Sequence, residues 1–278
     1  MDFLSMTSGS DLGVFALGLV IAGVVSGLIA GTLGVGGGIV IVPILYHVLA
    51  GLGFDASLRM HLAAGTSLAT IIPTSMSSLN AHSKKGTVDW ALLKSWVGPM
   101  IAGVAIGPAL AAYVNGRTLS LIFSIAVLPV ALNMVFGKES WRLANHIPRP
   151  PAGWALPLGI GWLSSMMGLG GGTLGVPAMH LCNYPIHRAV GTAAAFGVII
   201  SIPATIGMAI GGWGAPGLPA YSLGYVNLLG FVLIAPASVL MAPLGAQLAH
   251  SMDKYRLRMV FALFIAVTAG KMLWDVLG

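Results

Sequence analysis

Two glycine-rich stretches decide the fold of this chain: Gly34-Val-Gly-Gly-Gly-Ile-Val-Ile-Val-Pro43 and Gly168-Leu-Gly-Gly-Gly-Thr-Leu-Gly-Val-Pro177. Their glycines and prolines keep one constant spacing, so the second stretch repeats the first. Both lie among apolar segments, where consecutive glycines weaken a helix and favour a turn. The repeat therefore predicts a broken helix at the same place in two related halves.

Further blocks of sequence repeat in the same order, which indicates an internal duplication. The block containing His61 and Gly65-Thr66 matches the one containing His187 and Gly191-Thr192, and Gly86-Thr-Val-Asp-Trp90 matches Gly224-Tyr-Val-Asn-Leu228.

Composition indicates that lipid surrounds the chain. Of the 278 residues, 57% are hydrophobic and only 7% are charged, and the mean hydropathy is +0.93. A soluble domain is about 25% charged, so this chain lacks the polar residues that a water-covered surface needs. Apolar segments fall at about 12–33, 37–50, 61–81, 90–113, 118–137, 154–167, 172–183, 188–211, 225–250 and 256–277.

The lengths of these segments predict the architecture. A spanning helix needs roughly 20 residues, and the segments 37–50, 154–167 and 172–183 are shorter. We predict an all-α, polytopic transmembrane helical bundle of two inverted repeats, each with a Gly-rich broken-helix hairpin and three spanning helices. The first repeat covers residues 1–137, a cytoplasmic linker covers 138–152 and the second repeat covers 153–278.

The basic residues predict the orientation, because Lys and Arg are in excess on the cytoplasmic side of a membrane protein. If each hairpin returns the chain to its starting side, both termini lie outside and the chain is a multi-pass protein of the cell (inner) membrane. Because the basic residues lie in short loops, no nucleic-acid partner is expected. One face then carries Lys84, Lys85, Lys94, Lys138, Arg142, Arg149, Arg188, Lys254, Arg256 and Arg258, and the other carries Arg59, Arg117 and Lys271.

The two glycine runs are the candidate binding site. Inverted repeats with broken helices hold their substrate near the membrane midplane, and free N–H groups at a helix start bind anions. Glycine lets that backbone approach a ligand without an intervening Cβ; the alternative is close helix packing. The predicted substrate-binding glycines are Gly34, Gly36, Gly37, Gly38, Gly168, Gly170, Gly171 and Gly172.

Hydroxyl and imidazole groups near these runs extend the candidate site. Thr66, Ser67 and Thr192 could donate hydrogen bonds to an oxyanion, or each could bond the backbone of its own helix. His61 and His187 occupy equivalent positions in the repeat. They are candidate gating or pH-sensing residues, with an interfacial capping role as the alternative.

The acidic residues limit the function. All seven map to termini, loops or helix ends, whereas cation carriers usually place a carboxylate deep in the membrane. A small anion is therefore the expected substrate. We predict no metal, no cofactor and no enzymatic activity, since Cys182 is the only cysteine and no Gly-x-Ser-x-Gly motif occurs.

The doubled Gly-Gly-Gly-x4-Pro motif and the two Gly-Thr helices resemble the sulfite exporter TauE/SafE family over nearly the whole chain. The resemblance implies a membrane protein that moves sulfite, another sulfur-containing oxyanion or an organosulfonate, usually outward. We predict a secondary transporter that alternates access around a midplane site formed by the two glycine-rich turns, as one half rocks against the other. The resemblance also implies an anion site at the glycines above, with Thr66, Ser67 and Thr192 beside them. An anion channel, a transporter of a non-sulfur organic anion and a homodimeric assembly stay open.

Overall fold

The computed structural model describes residues 9–33, 37–136, 142, 144–148, 151–248 and 254–277. These residues are predominantly α-helical, which confirms the predicted fold class. The helices are α1 (Gly9–Leu33), α2 (Gly38–Gly51), α3 (Ala56–Lys84), α4 (Trp90–Tyr113), α5 (Gly116–Phe136), α6 (Ala155–Met167), α7 (Gly171–Leu181), α8 (Ile186–Gly211), α9 (Leu228–Leu248) and α10 (Lys254–Leu277).

Both glycine runs interrupt helices, as predicted. Gly37 precedes α2 with a φ of 72°, and Gly168 ends α6 with a φ of 75°, a left-handed conformation that favours glycine. At 1.5 Å per residue, α2, α6 and α7 are each about 17–21 Å long. Since the hydrocarbon core is about 30 Å thick, none of these three helices can cross it alone.

The two repeats interlock rather than lying side by side. The main contacts follow the symmetry of the repeats: α1 packs on α9 as the equivalent α6 packs on α4, and the equivalent helices α3 and α8 pair with each other, as do α5 and α10. Glycines allow these close approaches. A Cβ on Gly27 would lie 2.3 Å from the carbonyl oxygen of Ser238, and one on the equivalent Gly161 would lie 2.2 Å from that of Met100.

The outer surface suits a lipid environment. Among the described residues, four helices are long and apolar enough to cross a membrane, at Trp90–Tyr113, Gly116–Phe136, Ile186–Gly211 and Leu228–Gly245. Large apolar side chains such as Phe136, Ile210 and Leu240 are exposed on them. Exposed apolar side chains of this size on several helices are what a lipid-facing surface requires.

One short element differs from the sequence prediction. A helix was expected from about residue 225, but α9 begins at Leu228 and follows a two-stranded antiparallel hairpin. Its strands are β1 (Ser222–Leu223) and β2 (Val226–Asn227). Gly224 forms the turn with a φ of 57°, so the Gly-Tyr-Val-Asn block is a hairpin leading into a helix. The matching block of the first repeat joins α3 to α4 without strands.

Candidate functional site

The glycine-rich turns of the two repeats meet inside the protein. A Cβ on Gly38 would lie 2.6 Å from the carbonyl oxygen of Gly168 and 3.1 Å from the nitrogen of Gly170. The described glycines of both runs are buried. Gly34 and Gly36 lie outside the described residues. The structure therefore brings the two glycine-rich turns together at Gly38, Gly168 and Gly170.

The helices that start at these turns have no side-chain caps. Gly37 and Gly170 are the N-cap residues of α2 and α7, and glycine has no side chain with which to cap a helix. The first intrahelical acceptors are their own carbonyls, with Val40 N–H donating to Gly37 and Thr173 N–H to Gly170, each at 3.0 Å. The N–H groups before these bonds form the positive end of each helix dipole. Two such ends inside a membrane protein are suited to binding an anion.

Two serines fix the turns. Ser67 donates its hydroxyl proton to the carbonyl of Gly168 at 2.8 Å, and Ser26 on α1 donates to the carbonyl of Gly37 at 3.3 Å. Both serines are fully buried. Ser67 thus positions the second turn from the first repeat, and its direct contact with an anion stays a prediction.

The Gly-Thr pairs connect one repeat to the other. The hydroxyl oxygen of Thr66 accepts the backbone N–H of Asn227, and that of Thr192 accepts the backbone N–H of Asp89, both at 2.9 Å. Asp89 is the N-cap of α4, and Asn227 comes just before α9. This acceptor role differs from both sequence-based expectations, in which each threonine donates to an oxyanion or bonds the backbone of its own helix. Direct contact of these threonines with an anion stays a prediction.

The preceding glycines make that connection possible. A Cβ on Gly65 would lie 2.3 Å from the carbonyl oxygen of Tyr225, and one on Gly191 would lie 2.4 Å from the hydroxyl oxygen of Thr87. Any larger residue would push the connecting loop away from the helix. The Gly-Thr motif is therefore a docking point for the loop of the opposite repeat.

The two equivalent histidines have different surroundings. His61 is buried, its Nδ1 lies 3.0 Å from the carbonyl oxygen of Ser57, and its Nε2 lies 2.8 Å from that of Ala111 at the end of α4. Its ring also packs against the Tyr225 ring. His187 is exposed on the first turn of α8. The gating role stays a prediction for both histidines. The contact of His61 with Ala111 joins α3 to α4.

Sequence reasoning missed a charged cluster at the start of α4. Asp89 accepts a short hydrogen bond from the Tyr184 hydroxyl, and its carboxylate lies 3.0 Å from the guanidinium of Arg188. It also caps α4 through the N–H groups of Ala91 and Leu92. Asp89 lies 95 residues before Tyr184, a separation that conceals the contact from local pattern analysis.

The charges of this cluster depend on one another. Burial raises the pKa of the Asp89 carboxyl, but the hydrogen bond from Tyr184, the N–H groups of the α4 first turn and the charge of Arg188 outweigh it. The net pKa of Asp89 is lower than the ordinary value. Burial and the neighbouring Asp89 carboxylate raise the pKa of Tyr184 well above its usual range. Asp89 is therefore ionised and Tyr184 protonated at neutral pH.

A cavity of about 500 Å³ opens beside this cluster. It lies between the start of α4, the described linker residues and the α7–α8 turn, and its aromatic wall includes Trp96, Trp154 and Tyr184. Among the described residues, no group of three or more His, Cys, Asp or Glu side chains could hold a metal ion.

Comparison with known proteins agrees with the class of molecule that this fold defines, a polytopic helical membrane protein. Residues 19–272 match the family model of the sulfite exporter TauE/SafE. A probable membrane transporter protein of Haemophilus influenzae is 31% identical over 255 residues, covering 92% of this chain and 97% of that protein. The chain belongs to the sulfite exporter TauE/SafE family.

Two further relatives are less similar to this chain. A probable membrane transporter protein of Methanocaldococcus jannaschii is 26% identical over 256 residues, covering 90% of this chain and 92% of the relative. The probable membrane transporter protein YunE of Bacillus subtilis is 26% identical over 280 residues, covering 92% and 97%. The chain is therefore a membrane transporter. The descriptions of the family and of these relatives are those of transporters and not of enzymes.

Proposed function

We propose that this transporter carries a small anion across the cell inner membrane, with sulfite, another sulfur-containing oxyanion or an organosulfonate as substrate. The observation that carries the proposal is the meeting of the two uncapped helix starts, at Gly38 of α2 and at Gly170 and Gly171 of α7. Their N–H groups are the proposed ligands of the anion. The remaining proposed binding glycines are Gly34, Gly36, Gly37, Gly168 and Gly172.

An anion suits this site better than a cation. Both helix dipoles present their positive ends to it. Of the described acids, Asp55 and Asp89 cap helix starts at the edges of spanning segments, and Asp275 is exposed near the end of α10. For export from a cell that is negative inside, the membrane potential contributes about 2.3 kcal/mol per charge per 100 mV. Export of an anion therefore needs no buried carboxylate relay.

In alternating access, groups of helices move relative to one another, and close packing limits which helices can move together. Whole repeats cannot separate without breaking the close contacts that Gly27 and Gly161 allow between α1 and α9 and between α4 and α6. The proposed moving units are therefore the pairs α1–α9 and α4–α6, each containing one helix of either repeat. They would tilt against the central α3–α8 pair, with the bonds of Thr66 and Thr192 near the hinges.

Flux into liposomes that contain the purified protein tests this proposal. We expect saturable uptake of sulfite, thiosulfate or methanesulfonate that follows an imposed potential, and no comparable uptake of sodium or potassium. Absence of flux for all three anions would contradict the sulfur-anion proposal, and uptake of acetate alone would favour a non-sulfur organic anion. Counterflow separates a carrier from an anion channel, because only a carrier exchanges labelled for unlabelled substrate against a gradient.

The proposed orientation has the basic loops in the cytoplasm and both termini outside. Single cysteines at exposed Lys84 and exposed Arg117, introduced after Cys182→Ala, test it with a membrane-impermeant thiol reagent. We expect Arg117→Cys to react in intact cells and Lys84→Cys to react only after lysis. The reverse pattern would invert the orientation.

A further inference from the structure

Ser75 on α3 and Ser201 on α8 occupy equivalent positions in the two repeats, in the register that matches Thr66 with Thr192. Each is only 1% exposed, yet neither hydroxyl has a hydrogen-bond partner among the described residues. Buried hydroxyls are normally bonded, and serines in membrane helices usually bond their own backbone.

Several other hydroxyls of this protein follow that rule, whereas Ser78 and Ser164 are also buried without a partner among the described residues but are not a symmetric pair. Thr70 donates to the carbonyl of Thr66 at 3.0 Å, Ser124 to that of Ser120 at 2.9 Å, and Thr205 to that of Ser201 at 2.7 Å. The symmetric pair of Ser75 and Ser201 departs from it in both repeats. An unbonded buried hydroxyl is unfavourable, and a ligand that accepts its proton would remove that penalty.

The pair lies where the two central helices cross. A Cβ on Gly197 of α8 would lie 2.2 Å from the Ser75 hydroxyl oxygen and 3.8 Å from Ile71. Gly197 is one helical turn before Ser201, and Ile71 is one turn before Ser75. Both serines therefore belong to the contact region between α3 and α8.

The same region borders the glycine-rich turns. A Cβ on Gly38 would lie 2.8 Å from Cδ1 of Ile71, and a Cβ on Gly171 would lie 2.9 Å from Cδ1 of Ile200. Ser75 is one helical turn from Ile71, a rise of about 6 Å, and Ser201 is the neighbour of Ile200. Each serine thus lies within one helical turn of a residue that borders the start of a broken helix.

We propose that Ser75 and Ser201 are a pair of substrate-contacting hydroxyls, one from each repeat, which donate hydrogen bonds to the anion between α3 and α8. This rests on the proposed function and assigns it two further binding residues. A hydroxyl pair related by the pseudo-twofold axis suits a substrate with two or more acceptor oxygens, such as sulfite or a sulfonate. An aliphatic carboxylate has two acceptor oxygens and could satisfy the same hydroxyl pair, so the shape of the anion, planar or pyramidal, distinguishes the two classes.

Transport kinetics of alanine variants provide the first test. We expect the double variant Ser75→Ala and Ser201→Ala to raise the KM for methanesulfonate or sulfite at least tenfold. Its thermal stability should be equal to or above that of the unmodified protein, because no bond is lost. Ser124→Ala, which removes a buried serine bonded to its own helix, is the matched control and should leave KM unchanged. An unchanged KM in the double variant would overturn the proposal.

Thiol accessibility provides a second test that does not need transport. After Cys182→Ala, the variants Ser75→Cys, Ser201→Cys and the control Ser124→Cys are treated with a small hydrophilic methanethiosulfonate reagent. Methanesulfonate serves as the protecting anion, because sulfite itself reacts with thiol reagents. We expect labelling at positions 75 and 201 that methanesulfonate slows severalfold, and no labelling at 124.

The outcomes separate the two proposals. No labelling at either position, or labelling that methanesulfonate leaves unchanged, would overturn the role of the serines whatever the flux assay gives. Protected labelling combined with no flux of any sulfur anion would contradict the proposed transport function and retain an anion-binding hydroxyl pair.

Discussion

The hydroxyl oxygen of Thr66 accepts the backbone N–H of Asn227 at 2.9 Å, joining α3 of the first repeat to the start of α9 in the second. The equivalent Thr192 accepts the N–H of Asp89 at the same distance and joins α8 to the start of α4. The two bonds are reciprocal, because each repeat supplies one threonine and one N–H group. They hold both loops in register with the central helices, near the hinges that alternating access would use.

Thr66→Val and Thr192→Val remove these acceptors while keeping the side-chain shape. Both threonines are buried, so each variant leaves an N–H group without its partner, and we expect a loss of about 1–3 kcal/mol in the free energy of unfolding. Thermal unfolding in detergent measures the effect. Thr66→Ser keeps the oxygen and should remain close to the unmodified protein; equal stability of the valine and serine variants would contradict the bond's importance.

Close packing between α1 and α9 depends on Gly27. A Cβ there would lie 2.3 Å from the carbonyl oxygen of Ser238 and 2.8 Å from its Cα, both backbone atoms that cannot rotate away. We expect Gly27→Ala to destabilise the protein by about 1–3 kcal/mol and to lower the transport rate.

Gly18 on the same helix is the matched control for this variant. A Cβ at Gly18 meets nothing within 4 Å, and alanine favours a helix by up to about 1 kcal/mol over glycine. Gly18→Ala should therefore be neutral or stabilising when both proteins are unfolded by heat. If the two alanine variants unfold at the same temperature, the interlocked packing of α1 and α9 is wrong.

Local features explain why much of the fold could be predicted. A run of glycines, a left-handed turn and the length of an apolar segment are properties of neighbouring residues, so the breaks before Gly38 and after Met167 followed directly. The repeat also predicted that the two turns belong together, and Gly38 does contact Gly168 and Gly170. The pairing of α1 with α9 involves distant residues. Its one sequence signal was the four-residue spacing of Gly23 and Gly27, a known helix-packing pattern.

Roles of individual hydroxyls were harder to predict because sequence does not reveal their partners. Thr66 and Ser67 are neighbours on α3, yet one accepts from Asn227 and the other donates to Gly168. Whether the Ser75 hydroxyl has a hydrogen-bond partner depends on residues that are distant in the sequence and close in the folded protein. The repeat could have identified Ser75, since Ser201 stands in the matching position.

The Asp89 cluster predicts a pH-dependent difference between the two repeats. Asp89→Asn gives the first repeat the residue that Asn227 provides in the second, and asparagine still caps a helix. The Asp89→Asn variant loses the ion pair with Arg188, and it weakens the hydrogen bond from Tyr184. The ion pair contributes little because Arg188 is 54% exposed and therefore partly screened by solvent. We expect the variant to be about 1 kcal/mol less stable at neutral pH.

Acid should remove this difference. The folded pKa of Asp89 is below the ordinary value of an aspartate, so its stabilising contribution is complete above that ordinary value and is lost as the pH falls through the folded pKa. Thermal unfolding of Asp89→Asn and of the unmodified protein at pH 7 and pH 3 measures how the stability difference between them changes with pH. A stability difference that stays constant between the two pH values would show that the charge of Asp89 contributes nothing. Asn227→Asp, at the equivalent position, is the control for adding a carboxylate without that cluster.

The hydrogen bond from Ser67 to the second glycine-rich turn predicts how the position of that turn affects transport. The Ser67 hydroxyl donates to the carbonyl of Gly168 at 2.8 Å, and this carbonyl belongs to the turn that leads into α7. Ser67→Ala leaves a buried carbonyl without that donor, so we expect a loss of about 1 kcal/mol of stability and a several-fold rise in the KM for the transported anion. The rise would follow from a displaced α7 start, whose N–H groups are the proposed anion ligands.

Flux measurements at several anion concentrations separate KM from the maximal rate in this variant. Ser120→Ala is the matched control, because Ser120 is also buried and its hydroxyl bonds the Gly116 carbonyl of its own helix at 2.8 Å. It should lose a similar amount of stability without a change in KM. If Ser67→Ala and Ser120→Ala shift stability equally and neither alters KM, the contact of Ser67 with the second turn does not position the anion.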